Sequence, residues 1–159
     1  MRRMIAAGLA AVLLLAATVE AGLDSKKAKY IGGTVSALKV ETEGTPSTDD
    51  EKVFVFTYKE DKKEVKLSIP YARVNDLEYG QKAGRRLGLA LTISPWLLLS
   101  KKRKHFLTIG YQDESDKQQS AVFELGKDIV RVTLASLEAR TGRKIEYQDE
   151  EARKSSKGN

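Results

Sequence analysis

The chain has 159 residues, a net charge of +6, a single histidine and no cysteine. This length allows one modest domain, and a hydrophobic content of 41% is enough to build a core. The absence of cysteine excludes disulfides, thiolate metal sites and a cysteine nucleophile. A single histidine excludes most multi-histidine metal sites and leaves little material for acid–base catalysis.

The first 21 residues have the pattern of a secretory signal peptide. Arg2 and Arg3 are followed by the uncharged stretch 4–17, which spans roughly 21 Å as a helix and is shorter than the ~30 Å core of a bilayer. Val19 and Ala21 fit the residues before a cleavage point. We expect residues 1–21 to be cleaved and the protein to be exported to the periplasm or the medium. The alternative is an uncleaved segment that anchors the protein in the membrane.

The first half of the mature chain predicts antiparallel strands after a polar lead-in at 22–29. Residues 30–40 are rich in β-formers, and Gly32 and Gly33 indicate a bulge or a close backbone approach. Residues 41–51 read as a loop. Strands at 52–59, with Phe54, Phe56 and Tyr58 on one face, and at 64–69 predict a hairpin with a turn at 60–63.

The second half predicts another hairpin and then one helix. Residues 71–80 read as a strand or a turn into one, with Val74 and Leu77 in the core. Residues 105–111 and 119–125 flank a polar loop. Asp128 is the candidate N-cap of a helix that ends near Thr141. The single domain therefore covers 30–142, mainly β with one C-terminal helix. The charged tail 143–159 is expected to be disordered.

All of the positive excess lies in one segment. Cleavage after residue 21 removes Arg2, Arg3 and Glu20, leaving 26 basic and 21 acidic residues and a net charge of +5. Residues 80–112 contain no acid and carry +7, so the rest of the mature chain carries −2. Two basic clusters enclose the uncharged run 87–99 (LGLALTISPWLLL). We call residues 82–104 the basic segment; its candidate membrane or partner contacts are Lys82, Arg85, Arg86, Trp96, Leu97, Leu98, Lys101, Lys102, Arg103 and Lys104.

Three interpretations of the basic segment remain open. In the first, residues 87–99 are buried in the core, as short apolar runs commonly are. In the second, the run is a wedge with Trp96 near its tip that enters a membrane interface, while the flanking cations meet anionic head groups. In the third, the segment contacts another protein. Thirteen residues interrupted by Pro95 are too short for a transmembrane helix.

The sequence gives no support for catalysis or for a cofactor. His105 could serve as a proton donor, and Tyr71 and Arg73 could join it in a polar site, but a surface or edge role for each is the simpler interpretation. The acidic runs 49–51 and 149–151 lack the spacing of a calcium loop. We therefore predict no enzyme, no cofactor and no metal site. Nucleic acid is not expected as a partner, because few aromatics interleave with the cations.

One short motif resembles a known family. The run 69–79 (IPYARVNDLEY), with Arg73 and Val74 after Ile69-Pro70 and an apolar residue three positions later, is similar to bacterial pleckstrin-homology-like and GRAM-like domains. The resemblance covers about residues 30–142. It implies a partly open antiparallel barrel of about seven strands, capped by a C-terminal helix, that binds lipids, peptides or proteins without catalysing a reaction. The basic segment and the signal are additions to that pattern, and no ligand residues are carried over.

Our leading expectation is an exported, non-enzymatic binding module that associates with a membrane surface or anionic lipid through the basic segment. The alternative is a structural or protein-interaction module of the cell envelope in which residues 87–99 are buried.

Overall fold

A computed structural model describes residues 23–81, the backbone of residues 92–93, and residues 104–157. The predicted signal peptide lies outside these residues. So do all candidate contacts of the basic segment except Lys104, namely Lys82, Arg85, Arg86, Trp96, Leu97, Leu98, Lys101, Lys102 and Arg103.

The described residues form a mainly β structure with two short helices. In chain order the elements are β1 (Ala28–Gly33), β2 (Thr42–Ser47), β3 (Val53–Glu60), β4 (Lys63–Pro70), a 3₁₀ turn (Tyr71–Arg73), β5 (Val74–Gly80), β6 (Thr92–Ile93), β7 (His105–Gln112), β8 (Gln118–Leu125), α1 (Val130–Thr141), β9 (Glu146–Tyr147) and α2 (Glu150–Ser156). The strands form one sheet in the order β4-β3-β2-β1-β8-β7-β5-β9, and β6 pairs with β1. All pairs are antiparallel except β5 with β9.

Both predicted hairpins are present. β3 and β4 pair from Val53↔Pro70 to Glu60↔Lys63, and Asp61 and Lys62 form the two-residue turn with positive φ angles of 47° and 66°. Such a turn matches the twist of the flanking strands. The alternation in β3 is also as predicted, because Phe54, Phe56 and Tyr58 are buried and their neighbours are less so.

The predicted loop at 41–51 was wrong for Thr42–Ser47, which forms β2 between β1 and β3. The glycine and proline that suggested a loop fit this strand for specific reasons. A Cβ at Gly44 would lie 2.5 Å from the carbonyl oxygen of Thr57, so only glycine permits this close pairing. Pro46 lies beyond Gly44, the last β2 residue paired with β1, so β3 is its one strand neighbour.

The paired glycines of β1 confirm the predicted bulge and close approach. The register with β8 shifts between Tyr30 and Gly32. A Cβ at Gly33, whose φ is 138°, would lie 2.2 Å from the carbonyl oxygen of Ser120. Gly33 is therefore required by the close approach of the two backbones.

Helix α1 is present at the predicted place, but the predicted N-cap is wrong. The helix begins at Val130 after Ile129, and no side chain caps it. The carboxylate of Asp128 instead accepts a hydrogen bond from the hydroxyl of Ser25 at 2.5 Å. The polar lead-in thus holds Asp128 away from the helix. Gly142 ends the helix in the left-handed conformation, as its position predicts.

The tail 143–159 was expected to be disordered, but Glu146–Tyr147 forms a strand and Glu150–Ser156 a helix. β9 pairs with β5, and Asp149 caps α2 by accepting a hydrogen bond from the Ala152 amide at 2.7 Å. Acidic residues occupy the first turn of α2 and basic residues the last, which suits the helix dipole. Ala152 is fully buried in the main core and Tyr147 packs against it, so apolar contacts anchor this charged segment.

The sheet has an apolar cluster on each face. The larger cluster contains Leu107 and Phe123 together with Leu134 and Leu137 of α1 and Ala152 of α2. We call this helix-covered side the inner face. The second cluster consists of Ile31, Phe106 and Val122, which alternate with inner-face residues along β1, β7 and β8. We call that side the outer face.

Candidate functional site

The site is built around the root of the basic segment, where the chain leaves β5 and returns to β7. Gly80, the last residue of β5, pairs with Phe106 near the start of β7. The two basic clusters are far apart in sequence, yet Lys82 and Arg103 are each within three residues of this pair. We call this end of the sheet the basic end. The β5–β7 pairing thus brings together the point at which the chain leaves β5 and the point at which it enters β7.

Lys104, the one candidate contact that the structure describes, is held by an internal carboxylate. Its ammonium lies 2.9 Å from the Glu124 carboxylate, and Glu124 is 7% exposed. Glu124 also contributes to the electrostatics of two neighbours, Lys29 and His105. Lys104 is therefore compensated within the domain, unlike a cation that projects freely toward a partner.

Lys29 on β1 belongs to the same cluster of charged side chains as Lys104 and Glu124. Burial lowers the Lys29 pKa, but a hydrogen bond to Glu43 and the negative charges of Glu43, Glu41 and Glu124 outweigh burial and raise it. The Lys29 ammonium lies 3.3 Å from Glu43 and 3.5 Å from Glu41. In this part of the basic end, two ammonium groups are therefore compensated by three carboxylates.

His105 is half-buried and joins a second polar chain. Its Nδ1 lies 2.5 Å from the hydroxyl of Tyr79, which in turn lies 3.3 Å from the Ser155 hydroxyl on α2. Burial lowers the His105 pKa, and the charge of Glu124 partly offsets this. Burial also raises the pKa of Tyr79, against the opposing effect of the Ser155 hydrogen bond. The Tyr79 hydroxyl and Nδ1 of His105 thus share a hydrogen bond in which the imidazole tautomer decides which of the two groups donates.

The catalytic alternative that grouped Tyr71, Arg73 and His105 does not match the geometry. Val74 pairs with Tyr111 and Gly80 with Phe106, so Tyr71 and Arg73 lie at the opposite end of β5 from His105. Arg73 donates to the Asp113 carbonyl at 2.7 Å and pairs with Asp116 at 3.0 Å. β5 runs from Val74 to Gly80, and its extended backbone keeps the two ends of this grouping apart.

The burial of several polar residues beside the basic end was not predicted from the sequence. Glu78, at 2% exposure, accepts a hydrogen bond from Gln148 at 2.9 Å. A Cβ at Gly80 would collide with the side chain of Gln148, so the glycine leaves room for it. Gln148 and Ser155 both belong to the tail 143–159. Because the tail was expected to be disordered, neither residue was predicted to contribute to a site.

A shallow cleft of about 310 Å³ opens at the basic end. It is lined by Leu23, Ser25, Lys104, His105, Glu124, Leu125, Gly126 and Lys127. Leu23 is the first described residue, so the chain that follows the predicted signal enters the domain at the same end as the basic segment.

A larger cleft of about 690 Å³ lies at the C-terminal elements, lined in part by Glu138, Lys144, Tyr147 and Arg153. Its lining mixes both signs of charge. Within residues 23–81 and 104–157, no group of histidine or acidic side chains has the geometry to hold a metal ion. No helix of the described part of the chain is long and apolar enough to cross a membrane.

Neither protein-family models nor curated proteins match this chain. The geometry and charge of the basic end are therefore the features from which a function is inferred.

Proposed function

We propose that this chain is an exported, non-enzymatic module of pleckstrin-homology-like type that associates with an anionic membrane surface through the basic segment. The support for the fold is a set of seven strands of six to eight residues, which pair with one another in antiparallel fashion and are followed by α1. β6 and β9 add two residues each.

The Gly80↔Phe106 pair carries the functional proposal, because it roots both basic clusters at one end of the sheet. Six cations outside the described residues follow Gly80 or precede Phe106 by at most six positions in sequence, with no acidic residue between them: Lys82, Arg85, Arg86, Lys101, Lys102 and Arg103. Each Lys or Arg close to an anionic bilayer contributes about 1 kcal/mol. Three or four simultaneous contacts are enough for reversible attachment.

The entry point of the chain favours the same orientation. Leu23 and Lys104 line one cleft, so a membrane anchor at residues 1–21, if it is retained, joins the module at its basic end. If the signal is cleaved, the same end still carries the cations. In both cases we expect the module to lie with its basic end toward the bilayer.

A charge-reversal series tests this function by flotation with vesicles of phosphatidylglycerol and phosphatidylcholine. The triple variant of Lys101, Lys102 and Arg103 to Glu should lower the affinity for anionic vesicles by about 100-fold or more. The control reverses Lys39, Lys52 and Lys66, which are exposed outside the basic segment, and should lower it severalfold at most. Equal losses of affinity in the two triple variants would show that binding depends only on the total charge of the protein, and this would contradict the proposal.

The second candidate is a protein-interaction module of the envelope with residues 87–99 buried. The observation in its favour is the burial of Ile31, Phe106 and Val122 on the outer face. Binding to envelope proteins, with no preference for anionic over zwitterionic vesicles, would favour it over the membrane proposal.

A further inference from the structure

Strand β4 forms one edge of the sheet, and β9, which has only two residues, forms the other. Within residues 23–81 and 104–157, β4 pairs with β3 alone, and no backbone hydrogen bond from a loop or turn reaches residues 64–68. An edge strand of eight residues presents a row of backbone donors and acceptors with which another strand can pair. We call this side of β4 the free edge.

The hairpin turn between β3 and β4 fixes which backbone groups point toward the free edge. The turn has two residues and is flanked by the pair Glu60↔Lys63. A hydrogen bond closes such a turn, so Glu60 and Lys63 form a hydrogen-bonded pair, and such pairs recur at every second residue of an antiparallel ladder. The odd-numbered residues of β4 therefore bond to β3. The amides and carbonyls of Glu64, Lys66 and Ser68 face the free edge.

The charges along the free edge complement themselves in one register. Glu64 and Lys66 lie 3.9 Å apart on the same face of β4, and each is 61% exposed. When two β4 strands pair antiparallel about a two-fold axis at Val65, Glu64 of each copy lies opposite Lys66 of the other, in a hydrogen-bonded pair. A shift by two residues places Glu64 opposite Glu64 in one direction and Lys66 opposite Lys66 in the other. A shift by one residue sets groups that face the free edge against groups that already bond to β3.

We propose that this chain forms a homodimer in which two β4 strands pair antiparallel at their free edges, with Glu64 opposite the partner's Lys66. The occupant is a second copy because the charge pattern of this edge complements itself. The two Val65 side chains meet on the inner face, where each is partly buried against the main core. Pro70, which has no amide hydrogen, lies outside the paired stretch. Each copy contributes one such edge, so the assembly closes at two copies.

Sedimentation velocity over a concentration series, without lipid, tests the dimer on the purified protein with its N-terminus checked by mass spectrometry. We expect a reversible equilibrium between monomer and dimer. Glu64→Lys and Lys66→Glu should each weaken self-association by about tenfold or more, because like charges then face each other at two positions. An equimolar mixture of the two variants should dimerise again, since each supplies the charge that the other lacks. Lys52→Glu, on an exposed residue outside β4, is the control and should leave the dimer unchanged.

A disulfide tests the register directly, because the chain has no cysteine of its own. The two-fold axis places the two Val65 residues opposite each other in a non-hydrogen-bonded pair, with Cα atoms about 4.5 Å apart. Disulfides span Cα distances of this size. Val65→Cys should therefore form a linked dimer on oxidation. In the matched control Ser68→Cys, the two cysteines are offset by six residues, or roughly 20 Å, and should not be linked.

Three results would overturn the proposal: monomers at every concentration, a dimer that withstands both charge reversals, and a dimer that Val65→Cys does not link more readily than Ser68→Cys. The last two would place the interface elsewhere or in another register. Because Glu64 and Lys66 are exposed, urea denaturation of the charge variants should match that of the unaltered protein. No measurement in this series involves lipid, so each outcome is separable from failure of the proposed function.

Discussion

The hydroxyl of Tyr79 on β5 lies 2.5 Å from Nδ1 of His105 on β7 and 3.3 Å from the hydroxyl of Ser155 on α2. Tyr79 itself is fully buried. One phenol therefore connects the root of the basic segment with the C-terminal helix, and its contribution to stability is measurable.

Tyr79→Phe should lower the free energy of unfolding by about 1–2 kcal/mol, because His105 and Ser155 lose a partner in a half-buried site. Tyr71→Phe is the matched control. The hydroxyl of Tyr71 is buried without a hydrogen-bond partner among the described residues, so its removal should be neutral or slightly stabilising. Urea denaturation of both variants measures the difference in free energy of unfolding. Equal losses of stability would contradict a stabilising role for the hydrogen bonds of the Tyr79 hydroxyl.

His105 should make stability depend on pH near neutrality. Burial lowers its pKa below the ordinary 6.5, so the unfolded chain binds a proton more readily than the native protein. The contribution of His105 to the free energy of unfolding is therefore complete above its pKa in the unfolded chain. This contribution is lost as the pH falls below about 6.5. Urea denaturation between about pH 5.5 and 7.5 measures the slope. His105→Asn, which keeps an acceptor near Nδ1, should flatten it; an unchanged slope would point to other groups.

Helix α1 should be integral to the fold. Leu134→Ala should cost about 2–5 kcal/mol, because Leu134 is buried in the inner cluster. Val132 on the same helix is 58% exposed, and Val132→Ala should cost under about 0.5 kcal/mol. Thermal or urea denaturation distinguishes these outcomes. A cost under about 0.5 kcal/mol at Leu134 would show the helix to be peripheral.

Glu124→Gln should strengthen binding to anionic vesicles. The substitution removes the carboxylate that lies 2.9 Å from Lys104 and so releases one cation at the basic end. At about 1 kcal/mol per cation, the affinity should rise about fivefold. Glu41→Gln, which changes charge at the more distant Lys29, is the control and should have a smaller effect. Weaker binding by the Glu124 variant would contradict the orientation proposed for this end.

Local patterns predicted the elements whose apolar spacing is regular. The alternation in β3, the turn at Asp61 and Lys62, and Gly142 at the end of α1 were all readable from the chain. β2 was not, because its pairing depends on contacts of Gly44 with residues in β3. Glycine in isolation indicates a loop, and only the neighbouring strand explains its position in a sheet.

The polar side of the site was less predictable than the fold. Seven cations and an apolar run marked the basic segment, but nothing in the sequence joined Lys104 to Glu124 or Tyr79 to Ser155. These pairs form across 20 and 76 positions of sequence and depend on the register of β7 with β8 and on the placement of α2. Long-range contacts of this kind follow from the tertiary structure rather than from local propensity.

The salt dependence of vesicle binding tests the central claim most directly. Exposed charges are screened over about 10 Å at 0.1 M salt and about 3 Å at 1 M. We predict that the purified protein binds phosphatidylglycerol vesicles at low salt and releases them as salt rises. Absence of binding at every salt concentration would contradict the account. Salt-resistant binding with a blue shift of Trp96 would instead show that the apolar run inserts into the bilayer.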